Sequence, residues 1–339
     1  MKYLLIFCLF IGGSNLIFAQ QQTAAQLRET AKTLMQQGDF DNSILTLIRA
    51  RQHEPKNIEV MKDLSFVNYL KRDFGKAIEI GKELIENPAA DQQSFQILGL
   101  SYKAIASYKD CAKLYKTALN KFPNSGVIYN EYAELLAIEN NMDEAIMHWE
   151  KGIETDPNYS SNYYNATMYY MRSKNWIRAL LYGELFLNIE SYSTRTEEIK
   201  TRVFEAYKNL FAPGAADQLL NVKTTTAFEK AVLGLFAKTA SGMKGGITVE
   251  SIIAIRTLFI VEWLQGKQQL YPFRLFDHQQ YLLNNGLFEA YNYWLFSTSL
   301  NADTYQVWQN THSKEFTGYK AFQQSRVFKI PAGQYYFSR

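Results

Sequence analysis

Cysteine, histidine and net charge are all scarce in this sequence. Of 339 residues only two are cysteine, Cys8 and Cys111, and four are histidine: His53, His148, His278 and His312. Cys8 lies in an N-terminal stretch that reads as a removable leader, so the mature chain keeps Cys111 alone and cannot form an internal disulfide. Its stability must come from packing. No histidine stands at a metal-binding spacing from another or from Cys111, so no metal site or cofactor is expected. The formal charge is +3, and +2 once Lys2 leaves with the leader, 35 basic against 33 acidic residues. That surplus is too small for a surface that tracks phosphates, which argues against a nucleic-acid partner.

Long apolar runs are missing too. The stretch from Tyr3 to Ile11 follows a single Lys2, is broken by Gly12, Gly13 and Asn15, and ends at Ala19 before Gln20, Gln21 and Gln22. A membrane span needs roughly 20 apolar residues. The layout is instead that of a secretory signal peptide over residues 1–19, cut after Ala19, which predicts an exported protein, periplasmic or extracellular, with no transmembrane segment in the mature chain. Phe7 stands where a lipid-attachment signal before Cys8 calls for a small side chain. A second apolar run, Ile252 to Leu264, contains Arg256 and Glu262 and reads as a buried core helix.

What the chain has in abundance is a repeat. From Ser43, steps of 34 residues land on Ala77, Cys111, Ala145 and Ala179, all small. Three residues before each stands a large apolar side chain: Phe40, Phe74, Tyr108, Met142 and Trp176. Twelve before each is another small one: Ala31, Ser65, Gly99, Ala133 and Thr167. Two small positions per copy let paired helices approach closely, with the large residue expected to fill the junction under the turn. Five copies without an insertion predict an all-α array of helical hairpins over residues 24–191. In the third copy Phe95, Leu98, Gly99, Tyr102, Cys111, Tyr115, Ala118 and Pro123 carry the pattern most fully. The fourth carries it in Tyr129, Tyr132, Ala133, Leu136, Ala145, Trp149, Gly152 and Pro157. In its period and these positions the segment resembles the tetratricopeptide repeat.

That resemblance implies a superhelix whose first helices line a groove. The residues so placed include Arg28, Lys32, Lys62, Phe66, Tyr69, Lys103, Tyr164, Met168, Met171 and Arg172. The early positions are cationic and the late ones aromatic or methionine, which suits an extended peptide or protein partner with an acidic segment followed by bulky apolar residues. One subtype grips a terminal carboxylate with a fixed set of side chains; here Asp63, Gln93 and Ile97 stand where it needs Asn, Lys and Arg.

Residues 192–212 are expected to cap the array, with Thr194 and Glu197 as a capping box and Ile199, Val203, Tyr207 and Leu210 as the covering stripe. Pro213 and Gly214 then open a C-terminal region, 213–339, mainly helical and rich in aromatics. Helix starts are read at Thr226, Thr248 and Pro272, with a Gly-rich loop from Ser241 to Gly246. The stretch from Arg326 to Phe337 reads as a hairpin or an extended tail.

Chemistry has few candidates. Asp277 beside His278, with His312, is the sharpest acid/base idea, but neighbours on a helix point about 100° apart and no nucleophile motif accompanies them. Cys111 reads as a packing residue. The expectation is a non-enzymatic scaffold binding a protein in the groove. The alternative is a carbohydrate-binding accessory protein or a hydrolase with its site in the C-terminal region, where Phe288, Tyr291, Tyr293, Trp294 and Phe296 cluster.

Overall fold

The computed structural model describes residues 22–241 and 246–335. The predicted leader, Cys8 and most of the Gly-rich loop lie outside them. Among the described residues every regular element is helical, in agreement with an all-α fold. The chain divides into two compact units at Ala90 and Asp91.

The first unit holds two hairpins: α1 (Ala24–Gln36) with α2 (Phe40–His53), and α3 (Ile58–Leu70) with α4 (Phe74–Glu86). The second begins with three more: α5 (Gln92–Ala104) with α6 (Tyr108–Lys121), α7 (Gly126–Ile138) with α8 (Met142–Thr155), and α9 (Ser160–Arg172) with α10 (Trp176–Ile189). Then come α11 (Thr194–Leu210), α12 (Ala215–Leu220), α13 (Ala227–Ala240), α14 (Val249–Gly266), α15 (Arg274–Asn284) and α16 (Phe288–Leu295). A 3₁₀ turn, Ser297–Ser299, leads to α17 (Ala302–Thr311) and α18 (Ser313–Ser325).

Each second helix starts on one of the five large residues read from the period. The turn before it is the same in all five copies. One residue takes a left-handed conformation: Gly38 (φ 80°), Arg72 (67°), Ala106 (55°), Asn140 (60°) and Lys174 (59°). The next residue, Asp39, Asp73, Ser107, Asn141 or Asn175, sends its N–H back to the carbonyl of Leu34, Asn68, Tyr102, Leu136 or Tyr170. That is a Schellman-type closure, which satisfies carbonyls the helix end would leave open. Four of those five also cap the next helix with a side-chain oxygen; Ser107 donates to Asp110 instead.

The small positions meet as expected. The Ser43 hydroxyl donates to the Ala31 carbonyl and the Ser65 hydroxyl to that of Ala77, both at 2.9 Å, and the Cys111 thiol donates to that of Gly99 at 3.6 Å. Side chain and carbonyl can touch across the hairpin only because neither helix carries bulk there. The five large residues differ from expectation: all are half-buried, because each opens a helix directly after the turn, at the end of the hairpin. The fully enclosed side chains lie two turns further on, at Leu47, Tyr115 and Trp149.

Within the second unit the first helices form one layer, α5 on α7, α7 on α9 and α9 on α11. Ile199, Val203, Tyr207 and Leu210 of α11 are buried at 0–1% exposure, and α11 packs along α10. Its cap is Ser193 with Thr196, one residue earlier than Thr194 with Glu197, because the Glu190 carbonyl and carboxylate hold Ser193 and Thr196 in place. Thr226 with Glu229 forms the expected capping box, and Thr248 caps α14 with Ser251 as its partner. Residues 326–335 form a docked extended tail rather than a hairpin. The Asn158 side chain accepts from the Ile330 N–H (2.8 Å) and donates to its carbonyl (3.1 Å), while Arg274 Nε donates to the Lys329 carbonyl (2.9 Å).

Candidate partner-binding face

The first unit positions Arg28 and Lys32 on α1 and Lys62, Phe66 and Tyr69 on α3. None of the three cations stands as uncompensated charge. Arg28 donates to Glu59 (2.7 Å) and to Asp63, Lys32 pairs with Glu29 (2.8 Å), and Lys62 pairs with Glu59 (2.6 Å) while only 4% exposed. Phe66 and Tyr69 stack at 6.1 Å and Tyr69 leans on Phe74. A cavity of about 420 Å³ in this unit lies elsewhere, between α2, α3 and α4, lined by Ile44, Ile48, Leu64 and Ile80.

In the second unit Lys103 of α5 pairs with Glu131 (2.6 Å) and Glu134 (3.2 Å) of α7. Burial works against its charge, yet the two carboxylates outweigh burial and raise its pKa. The expected open cationic strip is therefore corrected: Lys62 is buried, Lys103 is half-buried, and all four cations have carboxylates one turn or one helix away. A charge moved from water is tolerable only with such a partner. With the charges matched inside the chain, the argument for an acidic ligand lapses.

On α9, Tyr164 donates to Glu198 of α11 (2.8 Å) beneath the Arg195 guanidinium, so it is tied to the capping helix. Met168 and Arg172 line a pocket of about 340 Å³ with Glu134, Ala137 and Ile138 of α7, Met142 and Trp149 of α8, and Asn165 and Tyr169. Met171 is half-buried beside them in sequence but does not line the pocket. Arg172 is exposed and makes no ion pair among the described residues. Trp149 is 4% exposed and its indole Nε1 has no hydrogen-bond partner among them. Sequence reasoning missed Ala137 and Trp149. The signal was present in the register, since Ala137 occupies the phase that Lys103 holds one copy earlier.

The catalytic candidates come apart. His278 is buried among the rings of Tyr291, Phe322 and Phe328, and burial, with Arg274 and Arg326 nearby, lowers its pKa to about 3. Asp277 accepts from Gln268 instead, and His312 stacks on Trp308 at 4.9 Å. Burial pushes the Cys111 thiol up to about 11, the opposite of an activated nucleophile. Among the described residues no group of three or more His, Cys, Asp or Glu could hold a metal ion. Phe288, Tyr291, Tyr293 and Phe296 are buried, and half-buried Trp294 lies under the Lys200 ammonium at 4.7 Å. This cluster is core, not the open strip of rings that sugar stacking needs.

The turn that recurs every 34 residues, with small positions in contact across the first three hairpins, decides the class of the repeat. Residues 24–191 are a tetratricopeptide-repeat array. No family model matches the chain. It is 27% identical over 138 residues to human Tetratricopeptide repeat protein 21B, a match that takes in 39% of this chain and 10% of that protein. Among solved structures it is similar to YrrB, titled a TPR protein with an unusual peptide-binding site (17% identity, 52% of this chain and 92% of the other, TM-score 0.36). It is also similar to TTC0263, a thermophilic TPR protein of Thermus thermophilus (14%, 55% and 99%, 0.45), and to pilF of Pseudomonas aeruginosa (13%, 61% and 95%, 0.46). Beyond the array, no helix among the described residues is long and apolar enough to cross a membrane.

Proposed function

We propose that the protein is a non-enzymatic scaffold, exported to the cell envelope or beyond, that holds an extended segment of a partner protein against the first helices of its tetratricopeptide repeats. The observation that carries this reading is the pocket on α7, α8 and α9. It is walled by two successive first helices and the second helix between them, and joins apolar walls from Met142 and Met168 to polar groups at Asn165 and Arg172. Convergent polar groups in a mainly apolar recess are the usual make-up of a binding site. Export is supported by the leader-like residues 1–19 alone.

The test is selection of peptides from a random display library with the full chain, followed by rebinding to Ala137→Trp and Met168→Glu. Each substitution blocks or charges the pocket at a position that is not fully buried, so folding should survive. Binding should fall by about tenfold or more, the loss expected when a central apolar contact is removed. Peptides that bind both variants as tightly as the parent would place the site elsewhere, and cell fractionation that finds the full-length chain uncut and in the cytoplasm would end the export reading.

A further inference from the structure

After α18 the chain runs back across the fold. From Arg326 to Ile330 its side chains alternate as in a strand: Phe328 (8% exposed) and Ile330 (2%) are buried, whereas Val327 (75%) and Lys329 face solvent. Asn158, exposed on the turn between α8 and α9, holds both main-chain groups of Ile330, accepting from its N–H (2.8 Å) and donating to its carbonyl (3.1 Å). Arg274 of α15 adds two more main-chain bonds. Its Nε donates to the Lys329 carbonyl (2.9 Å) and its own backbone N–H to that of Gln334 (3.3 Å). The Phe328 ring packs against both the Arg274 guanidinium (4.8 Å) and His278 (5.1 Å). Main-chain bonds combined with seats for alternate side chains are how a folded domain takes up an extended peptide. Here the peptide is the chain's own.

The tail fits this seat badly in one respect. It brings Arg326 up beside Arg274, and neither arginine makes an ion pair among the described residues. Burial and Arg326 lower the pKa of Arg274, with Asp277 acting against them. Arg326 rests on the rings of Tyr281 (5.0 Å) and Phe322 (5.4 Å). Like charges brought together in a half-buried place weaken the hold of the segment that carries one of them. A segment at the end of the chain can also leave its seat without the helices unfolding.

We propose that the seat formed by Asn158, Arg274 and His278 is a second peptide-binding site, which the tail closes in cis. Its occupant in trans is an extended segment of a partner protein with the tail's Phe-x-Ile-Pro pattern and a carboxylate two residues before the phenylalanine. That carboxylate stands where Arg326 stands and turns repulsion of Arg274 into an ion pair. The site shares no residue with the pocket on α7, α8 and α9 and does not rest on it.

Two fluorescent peptides test it: residues 325–335 as they stand, and an acidic form carrying Arg326→Glu. They are titrated against the full chain and against a full-chain variant with Phe328→Ser and Ile330→Ser, which removes the tail's anchors and keeps the seat. The acidic peptide should bind the variant about tenfold or more tighter than the unaltered chain, whose tethered tail competes at high local concentration. On the variant it should bind about three- to tenfold tighter than the basic peptide, a margin lost when Arg274→Gln is added. Adding Asn158→Ala should weaken both peptides about tenfold, the range of two hydrogen bonds. No binding to a folded variant, equal binding to variant and unaltered chain, or no preference for the acidic peptide each overturns the proposal. If the variant loses helical structure, hydrogen exchange on the unaltered chain decides. The Ile330 amide should exchange much faster than those of α15, and faster again with the acidic peptide in excess. Exchange as slow as in α15, or unmoved by the peptide, makes the tail a fixed part of the fold and ends the proposal.

Discussion

In helices α5 to α10 the closest approaches are made by residues with almost no side chain. A Cβ on Gly99 would come within 2.0 Å of the Tyr115 hydroxyl oxygen, and one on Gly183 within 2.7 Å of Val203. In helices α13 to α16 they are made by rings. Phe236 and Phe259 stack at 4.2 Å, and Trp263 meets Phe276 at 4.8 Å. At one side of that aromatic core sits a fully buried charge cluster. The Glu184 carboxylate of α10 takes two hydrogen bonds from Arg256 of α14 (2.6 and 2.7 Å), one from Gln279 of α15 (2.7 Å) and one from Tyr291 of α16 (2.7 Å). Arg256 also donates to Tyr207 of α11 and lies over its ring. The repeats recognise each other by what is absent from their surfaces, and the C-terminal helices are held to the last repeat by what is satisfied only there.

The comparison breaks most forcefully at the charge cluster. Arg256→Met should cost about 3–5 kcal/mol in a urea melt, because it leaves the Glu184 carboxylate buried and unpaired. Adding Glu184→Leu should recover part of that loss; a double variant less stable than the single would show that the cluster does more than satisfy itself. Next come the glycines. Gly99→Ala should cost about 1–3 kcal/mol through its clash with Tyr115, which has no room to move. Gly234→Ala, on α13 with no heavy atom within 4 Å of the added Cβ, should gain about 0.5–1 kcal/mol from helix propensity. Equal effects at the two sites would remove the distinction drawn here.

His278 adds a pH dependence confined to the aromatic region. Above about pH 6.5 the imidazole is neutral in both the folded and the unfolded chain and stability is at its full value. Below that the unfolded chain binds a proton that the folded one excludes until about pH 3, so stability falls as pH drops. Between pH 7.5 and pH 5 the loss should be about 2 kcal/mol, from about 1.4 kcal/mol per pH unit below 6.5. His278→Phe should abolish that share, and an unchanged slope would assign it to other groups. The turns give effects nearly as small as that of Gly234→Ala. Ala106→Gly should stabilise by about 1 kcal/mol by relieving a left-handed alanine, and Gly38→Ala should cost about as much.

The groove was legible only in part. Arg28, Lys62 and Lys103 lie at the phases the resemblance gives them, but their burial and pairing were not, because Arg28 meets Asp63 from 35 residues away and Lys103 meets Glu131 from 28. Nothing in a one-copy window shows that the next copy supplies a carboxylate. The C-terminal aromatics were harder still. Their density was plain, yet whether Tyr291 faces solvent or the core depends on Glu184, 107 residues earlier.

The sequence by itself determined the period, the starts of the repeat helices, the phase of each turn and the small positions that touch across the first three hairpins. These are set by local geometry, since a helix of fixed rise and a closing turn of fixed length return the same contacts every 34 residues whatever the side chains do elsewhere. Tertiary structure alone decided which charges are neutralised, that the C-terminal rings form a core around a buried Arg–Glu pair, and that Trp149 lacks an acceptor such as Tyr115, one copy earlier, finds in Glu131. Those outcomes rest on desolvation, and what a buried polar group costs depends on which distant side chain reaches it.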